Sequence, residues 1–217
     1  MANLFGKAAN ELPPKIVVGI LIIGVLTVAG IAYYFTPKYT RVGYMPKQPI
    51  PFDHSLHVTG LGLDCRFCHS FVEKSGFSNI PTTQTCMACH RMVKADSPKL
   101  AELRESWESG EPVRWARIYQ LPDYVYFDHS AHVNRGVSCF SCHGEVNLMR
   151  TVYHKAPLSM SWCLDCHRNP EYFLRPEDKV FDLAWVPPTG QQQIEMGMHL
   201  VEQEKIKPSE NCSACHR

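Results

Sequence analysis

The chain divides into one long apolar run and a remainder with almost no sustained period. Residues 16–35, IVVGILIIGVLTVAGIAYYF, carry no charge. An α-helix rises about 1.5 Å per residue, so this run covers about 30 Å, the thickness of a bilayer hydrocarbon core. Pro13 and Pro14 precede it, where a first helical turn tolerates proline. Tyr33, Tyr34 and Phe35 make an interfacial aromatic cluster at the far end. The apolar stretch of a cleaved signal peptide is shorter, about 7–15 residues, so the run is expected to stay as an anchor. Lys7 and Lys15 flank one side and Lys38 and Arg41 the other, which leaves the positive-inside rule silent.

Beyond the anchor two stretches read as helices. Ser97-Pro98 reads as an N-cap followed by proline at the first helical position, with Leu100, Leu103 and Trp107 on one face and Gly110 as the stop. Residues 191–204 read as a second helix. Residues 112–126 mix aromatics with Arg114 and Arg117, which suits packing around a prosthetic group or docking of a partner. Residues 169–207 are punctuated by proline and should wrap the rest or meet another subunit. Val146, Met149 and Val152 are spaced like one packed face.

The cysteines change this picture. All 10 fall into five C-x-x-C-H motifs: Cys65-Arg-Phe-Cys68-His69, Cys86-Met-Ala-Cys89-His90, Cys139-Phe-Ser-Cys142-His143, Cys163-Leu-Asp-Cys166-His167 and Cys212-Ser-Ala-Cys215-His216. C-x-x-C-H is the attachment signature of c-type haem. Two thiols at that spacing reach the two vinyl groups of one porphyrin, and the next histidine turns under the ring to the iron. Zinc ribbons do not need a histidine after every pair. A disulfide framework has no reason to repeat one spacing, and a thioredoxin-like pair occurs once per domain. Covalent attachment takes place outside the cytoplasm, so everything after the anchor is expected on that side. Roughly 180 residues serve five haems, about 36 each, too few for a conventional core around every ring. The haems should supply much of the buried apolar surface, with little regular secondary structure between them.

An internal repeat organises the motifs. Phe52-Asp-His54-Ser-Leu-His57-Val matches Phe127-Asp-His129-Ser-Ala-His132-Val, and each copy precedes two attachment motifs. The units are 50–91 and 125–168, with the fifth motif at 212–216. Histidines three apart share a face of a helical turn. They cannot both serve one iron whose other side is occupied, but they can clamp two haems together. His54, His57, His129 and His132 are therefore candidate distal ligands, opposite the proximal His69, His90, His143, His167 and His216.

This pattern resembles the cytochrome c3/c7 family of small multihaem cytochromes. The resemblance implies that His54 serves the haem of His69, His57 that of His90, His129 that of His143 and His132 that of His167. In c7-like units a ligand just before one motif reaches the following haem. The matching residue here is Met160, with His154, Met149 and His199 as rivals for the iron of His216. A Met/His pair would raise that haem above its bis-His neighbours. The expected fold is a multihaem cytochrome c. It has a tail (1–14), a transmembrane helix (15–36), a linker (37–50) and a small, mostly irregular or helical haem-packed domain (51–217) with duplicated c3/c7-like units.

The charge count narrows function. Lys+Arg is 22 and Asp+Glu 21, with 45% hydrophobic residues, so no basic nucleic-acid surface is indicated. No phosphate loop, nucleophile elbow or Walker motif occurs. Irons with two protein ligands move electrons rather than bind substrate. Pentahaem nitrite reductases open one iron by C-x-x-C-K, which this sequence lacks.

The single anchor, five motifs, the segment Trp115 to His129, residues 157–162 and the closing Cys215-His216-Arg217 resemble the pentahaem cytochrome c subunit of alternative complex III. That resemblance implies five covalent haems c and a relay role in a menaquinol-oxidising complex of a bacterial inner membrane, passing electrons to a periplasmic carrier or terminal oxidase. It implies as partners an iron–sulfur, molybdopterin-enzyme-like subunit, polytopic quinol-binding subunits and a monohaem cytochrome. The rival reading is a stand-alone quinol dehydrogenase of the NapC/NrfH type. That family places a methionine two residues after its first motif, where this chain has Phe71.

Overall fold

The computed structural model describes residues 6–35 and 41–216. Lys38, Arg217, residues 1–5 of the tail, residue 36 of the expected transmembrane helix and residues 37–40 of the linker lie outside the described residues, as do the side chains of Lys7 and Phe35. The chain forms two compact units, divided at residues 41 and 42.

The first unit is one helix, α1 (Lys7–Phe35). It starts well before the apolar run, so Pro13 and Pro14 lie inside it rather than in its first turn. The strong helix formers Ala8, Ala9 and Glu11 nucleate the extra turns, and Lys15 pairs with Glu11 at 2.9 Å. The residues between Ala8 and Tyr34 are long and apolar enough to cross a membrane and are not buried within the unit. Tyr33 and Tyr34 meet edge to face at 5.9 Å.

The second unit is built from short helices: α2 (Cys65–Cys68), α3 (Thr83–His90), α4 (Ala101–Ser109), α5 (His129–Val133), α6 (Cys139–His143), α7 (Met160–Arg168), α8 (Gln191–Gln203) and α9 (Cys212–Cys215). Two isolated bridges, Val125 with His216 and Val137 with Leu174, are the β pairing among the described residues. The expected Ser97 start is a 3₁₀ turn, Pro98–Leu100, that leads into α4, and Gly110 ends α4 at φ 77°. A left-handed residue at that position closes the last carbonyls, and glycine adopts it without strain. The stretch around Met149 is not the helical face its spacing suggested. A 3₁₀ turn, Val146–Leu148, ends in extended backbone at Met149, whose side chain is buried.

Apolar burial is sparse. Nine hydrophobic residues are buried among the described ones, too few to order so long a chain by themselves. Six of them form two small clusters: Ile50, Met87 and Leu103 under Trp115, and Val72, Val133 and Val180 beside Phe181. The aromatic segment 112–126 thus packs inward through Trp115 and Tyr119. The segment after residue 168 wraps the second repeat. Arg175 N donates to the Gly136 carbonyl, Ser138 Oγ to that of Val180, and Gln193 Nε2 to those of Glu171 and Leu174.

Candidate haem-binding site

All five attachment motifs sit on helices, in two settings. Cys65, Cys139 and Cys212 open α2, α6 and α9, whereas the second and fourth motifs close α3 and α7. Asp64, Ser138 and Ser159 cap their helices by accepting backbone N–H groups of Arg66, Phe140 and Trp162. None of the 10 cysteines is paired in a disulfide. Among the described residues no three His, Cys, Asp or Glu side chains converge as a bare metal ion needs.

The ligand turns are built alike. His57 lies in a wide turn, Ser55–Gly60, with His54 just before it, and His129 and His132 lie in α5. Phe52 stacks on His57 at 4.4 Å and meets His54 edge-on at 4.8 Å; Phe127 does the same to His132 at 4.4 Å and His129 at 4.9 Å. The aromatic ring is a wedge that aims the two imidazoles apart. The Asp53 and Asp128 carboxylates each accept from a serine two residues on, at 2.6 and 2.7 Å. The Ser55 hydroxyl comes first among the causes that hold the Asp53 carboxyl below its ordinary range, and the Ser130 hydroxyl does so for Asp128.

Six of the candidate histidines have Nδ1 engaged by a backbone carbonyl at 2.9 Å or less. Nδ1 of His69 lies 2.7 Å from the Asn79 carbonyl oxygen, that of His90 2.9 Å from Val93, and that of His167 2.6 Å from Ser209. On the other side, Nδ1 of His57 faces Asp53 O at 2.8 Å, that of His132 faces Asp128 O at 2.7 Å, and that of His129 faces Gly76 O at 2.8 Å. A carbonyl accepts only from a protonated nitrogen, so each bond leaves Nε2 as the lone-pair nitrogen. The His57 and His90 rings lie 6.2 Å apart, and the His132 and His167 rings 6.1 Å. An imidazole nitrogen binds a transition metal at about 2 Å, so two rings across one iron have centroids about 6 Å apart.

His69 and His57 act electrostatically on His54, and His129, His69, His54 and His154 on His143. Burial, then the neighbouring imidazoles, pushes His54 and His143 down to about 4. Burial likewise pushes the Cys142 thiol up to about 12 and that of Cys166 up to about 11. Exposed apolar side chains flank the motifs: Phe71 and Phe77 after the first, Met92 and Val93 after the second, and Met160 before the fourth. They form walls suited to a porphyrin, so the residues present fit covalent haem.

The candidates for the last sixth ligand separate by environment. His154 is buried to 1% exposure under Tyr119, with ring centroids 4.6 Å apart. Met149 is packed, and His199 is exposed on α8 near Met198 and Glu171. Met160 opens α7 with 67% of its surface exposed. Next to α7, Arg168 pairs with Glu210 at 2.9 Å just before the fifth motif.

Residues 125–217 match the family model of cytochrome c7 and related cytochromes c. The multihaem cytochrome c subunit of menaquinone reductase from Nitratidesulfovibrio vulgaris is 32% identical over 147 residues, 58% of this chain and 70% of that protein. The chain belongs to that multihaem cytochrome c family.

Some working residues of this cytochrome escape a reading of the sequence alone. Arg175 is buried between the Phe140 and Trp185 rings, at 5.2 and 5.1 Å, and donates to the Asp182 carbonyl. Nothing in its local sequence marks it. Tyr119 sits between His143, at 4.4 Å, and His154. The aspartates of the ligand turns did carry a signal, since both copies of the repeat contain them.

Proposed function

We propose that this cytochrome is an electron-relay subunit of a membrane-bound, quinone-linked oxidoreductase complex, anchored by α1 and carrying five covalent haems c on the extracytoplasmic side. The observation that carries this reading is the pair of imidazole separations, 6.2 and 6.1 Å, at equivalent positions of the two repeats. His57 and His90 would hold one iron, His132 and His167 another, His54 and His69 a third, and His129 and His143 a fourth. Met160 is the sixth ligand proposed for the iron of His216. Haem c supplies an iron that gains or loses one electron while its ligands stay in place. The chain's part is to fix the imidazoles through the carbonyl bonds, bring the sites close together and line them with apolar side chains that keep water away.

The resemblance to alternative complex III favours menaquinol as donor. The proposed partners are an iron–sulfur, molybdopterin-like subunit, polytopic quinol-binding subunits and a monohaem cytochrome c. A second reading reverses the direction, because the relative from Nitratidesulfovibrio vulgaris is named a menaquinone reductase subunit. A relay serves either direction, and the partners decide which.

The test is purification from native membranes in mild detergent, with haem staining, identification of co-purifying chains and mixing with quinol or quinone. Recovery with polytopic and iron–sulfur subunits, and haems reduced by menaquinol, is expected. Haems that are instead oxidised by menaquinone establish the reverse direction. Recovery alone, with menaquinol still reducing the haems, overturns the relay reading in favour of a stand-alone quinol dehydrogenase.

A further inference from the structure

The linear sequence runs from the first motif to the fifth, but the fold does not join the sites in that order. Within each repeat the joint is the ligand turn. His54 and His57 leave one turn toward His69 and His90, so the first and second sites adjoin. His129 and His132 leave α5 toward His143 and His167, so the third and fourth adjoin.

The joint between repeats is different. The His129 backbone N–H donates to Gly76 O at 3.3 Å, its Nδ1 lies 2.8 Å from the same oxygen, and Ser130 N donates to Ser75 O at 3.2 Å. In return, His54 N and Ser55 N donate to Met149 O at 3.1 and 3.3 Å. The loop after the first attachment motif carries the second repeat's ligand turn. The loop after the third motif carries the first repeat's. This reciprocal exchange resembles a two-fold relation, and the Cys65 and Cys139 thiols lie near enough to influence each other electrostatically. The first and third sites therefore meet at the centre.

The fifth site joins the far end of this series. His167 Nδ1 lies 2.6 Å from Ser209 O, Arg168 pairs with Glu210 at 2.9 Å, and Tyr126 N donates to Cys215 O at 2.8 Å. The second motif, at the other extreme, packs its Met87 and Cys86 against Ile50, Leu103 and Trp115.

We propose that electrons pass through the sites in the order second, first, third, fourth, fifth, with the Cys86/Cys89 site and the Cys212/Cys215 site as the two terminals. This rests on the reading of five haems above. Each hop moves one electron from a reduced site to its oxidised neighbour, and no bond forms or breaks. A one-electron donor docks at one terminal and a one-electron acceptor at the other. The first site, although attached earliest in the chain, is internal.

Anomalous diffraction at the iron edge on the purified holoprotein tests this directly. Five iron positions are expected, with the irons of His69 and His143 forming the shortest link between repeats and the iron of His90 having one neighbour. Five irons with that of His90 next to that of His143 overturn the order. Fewer than five overturn the haem count on which it rests.

Flash reduction from a photosensitiser on Lys207→Cys gives an independent measurement, with haem counted by mass in each variant. Without the first site (Cys65→Ala with Cys68→Ala), one of the four remaining haems should lose its fast reduction. Without the second site (Cys86→Ala with Cys89→Ala), all four should keep it. The opposite pattern overturns the proposal.

Discussion

The two repeats share a ligand motif but not an environment. Both turns hold a phenylalanine wedge and an aspartate carbonyl on the second imidazole. In the second repeat, His129 Nδ1 faces Gly76 O, whereas in the first, buried His54 Nδ1 has no hydrogen-bond partner among the described residues. Residues 169–207 wrap the second repeat through Leu174, Arg175 and Val180, while α4 packs against the first. Burial disfavours the more highly charged oxidised state of a site, so enclosure raises a haem's potential. If the two repeats carry the proposed haem pairs, the more enclosed second repeat should have the higher potential and draw electrons.

The largest change to this comparison comes from the axial ligands. His57→Met replaces an imidazole with a thioether and should raise the second site by on the order of 0.1 V, within the roughly 0.8 V that axial ligands command. That is enough to cancel the gradient between repeats. His132→Met should raise the fourth site similarly and steepen the gradient. Spectroelectrochemical titration of both variants reads the two shifts. Equal potentials for the two repeats in the unsubstituted protein would remove the comparison itself.

The next test strips the wrap. A Cβ on Gly197 would run into the Glu171 carbonyl oxygen, so α8 cannot stay seated with alanine there. Overpacking of this kind costs about 1–3 kcal/mol, or roughly 3–10 °C of melting temperature for a domain of this size. Gly197→Ala should also lower the potentials of the second repeat more than those of the first, which meets the wrap through Val72 and Arg66. A melt followed by haem absorbance, beside a titration, checks both.

These contrasts show what the sequence displays and what it hides. The C-x-x-C-H motifs and the F-D-H repeat stand out in the sequence because each is a fixed local spacing, which the proposed haem chemistry would demand. The short helices around Gly110 and Gln191 were legible from caps and period. The crossing of the two repeats was not, because it rests on backbone carbonyls of Gly76 and Met149, which any residue supplies. Arg175 was hidden for a related reason: its partners, Phe140, Trp185 and the Asp182 carbonyl, come from separate stretches. The early start of α1 was missed because two prolines outweighed the formers before them.

Arg175 sharpens the comparison with a smaller effect. It is 6% exposed, its guanidinium donates to a carbonyl rather than a carboxylate, and burial lowers its pKa from the ordinary value. Arg66 in the first repeat is 47% exposed and bonded to Asp64 at 2.9 Å and Glu73 at 3.4 Å. A cation favours the reduced, less positive site. Arg175→Leu should therefore lower the potential of the third site by about 1–2 kcal/mol, at an effective dielectric near 20 and roughly 10 Å. That corresponds to roughly 0.05–0.1 V for one electron. Arg66→Leu should shift the first site less, since its charge is already balanced and hydrated. A redox titration showing the larger shift in Arg66→Leu would contradict the contrast in burial.

The smallest effect concerns two tyrosines at the same distance ahead of each F-D-H motif, Tyr44 and Tyr119. Tyr44 is 42% exposed. The Tyr119 hydroxyl accepts from Lys155 N at 2.9 Å and donates to Tyr153 O at 3.2 Å, and burial raises its pKa from 10.0 to about 12. Tyr119→Phe leaves the Lys155 N–H without its acceptor, which costs about 1–2 kcal/mol near neutral pH. The pH dependence has a definite sign. Below pH 10 the phenol is neutral in both folded and unfolded chains, so its contribution is fully present. Between pH 10 and about 12 the unfolded chain loses the proton first, and the stabilisation falls as pH rises through that window. Urea midpoints at pH 7 and pH 11 should therefore show the gap between the unsubstituted protein and the Tyr119→Phe variant narrowing at the higher pH. Tyr44→Phe should leave the midpoint nearly unchanged at pH 7. An equal loss from both substitutions would mean that the two segments ahead of the repeats are equivalent in packing, and that enclosure of the second repeat begins only after residue 168.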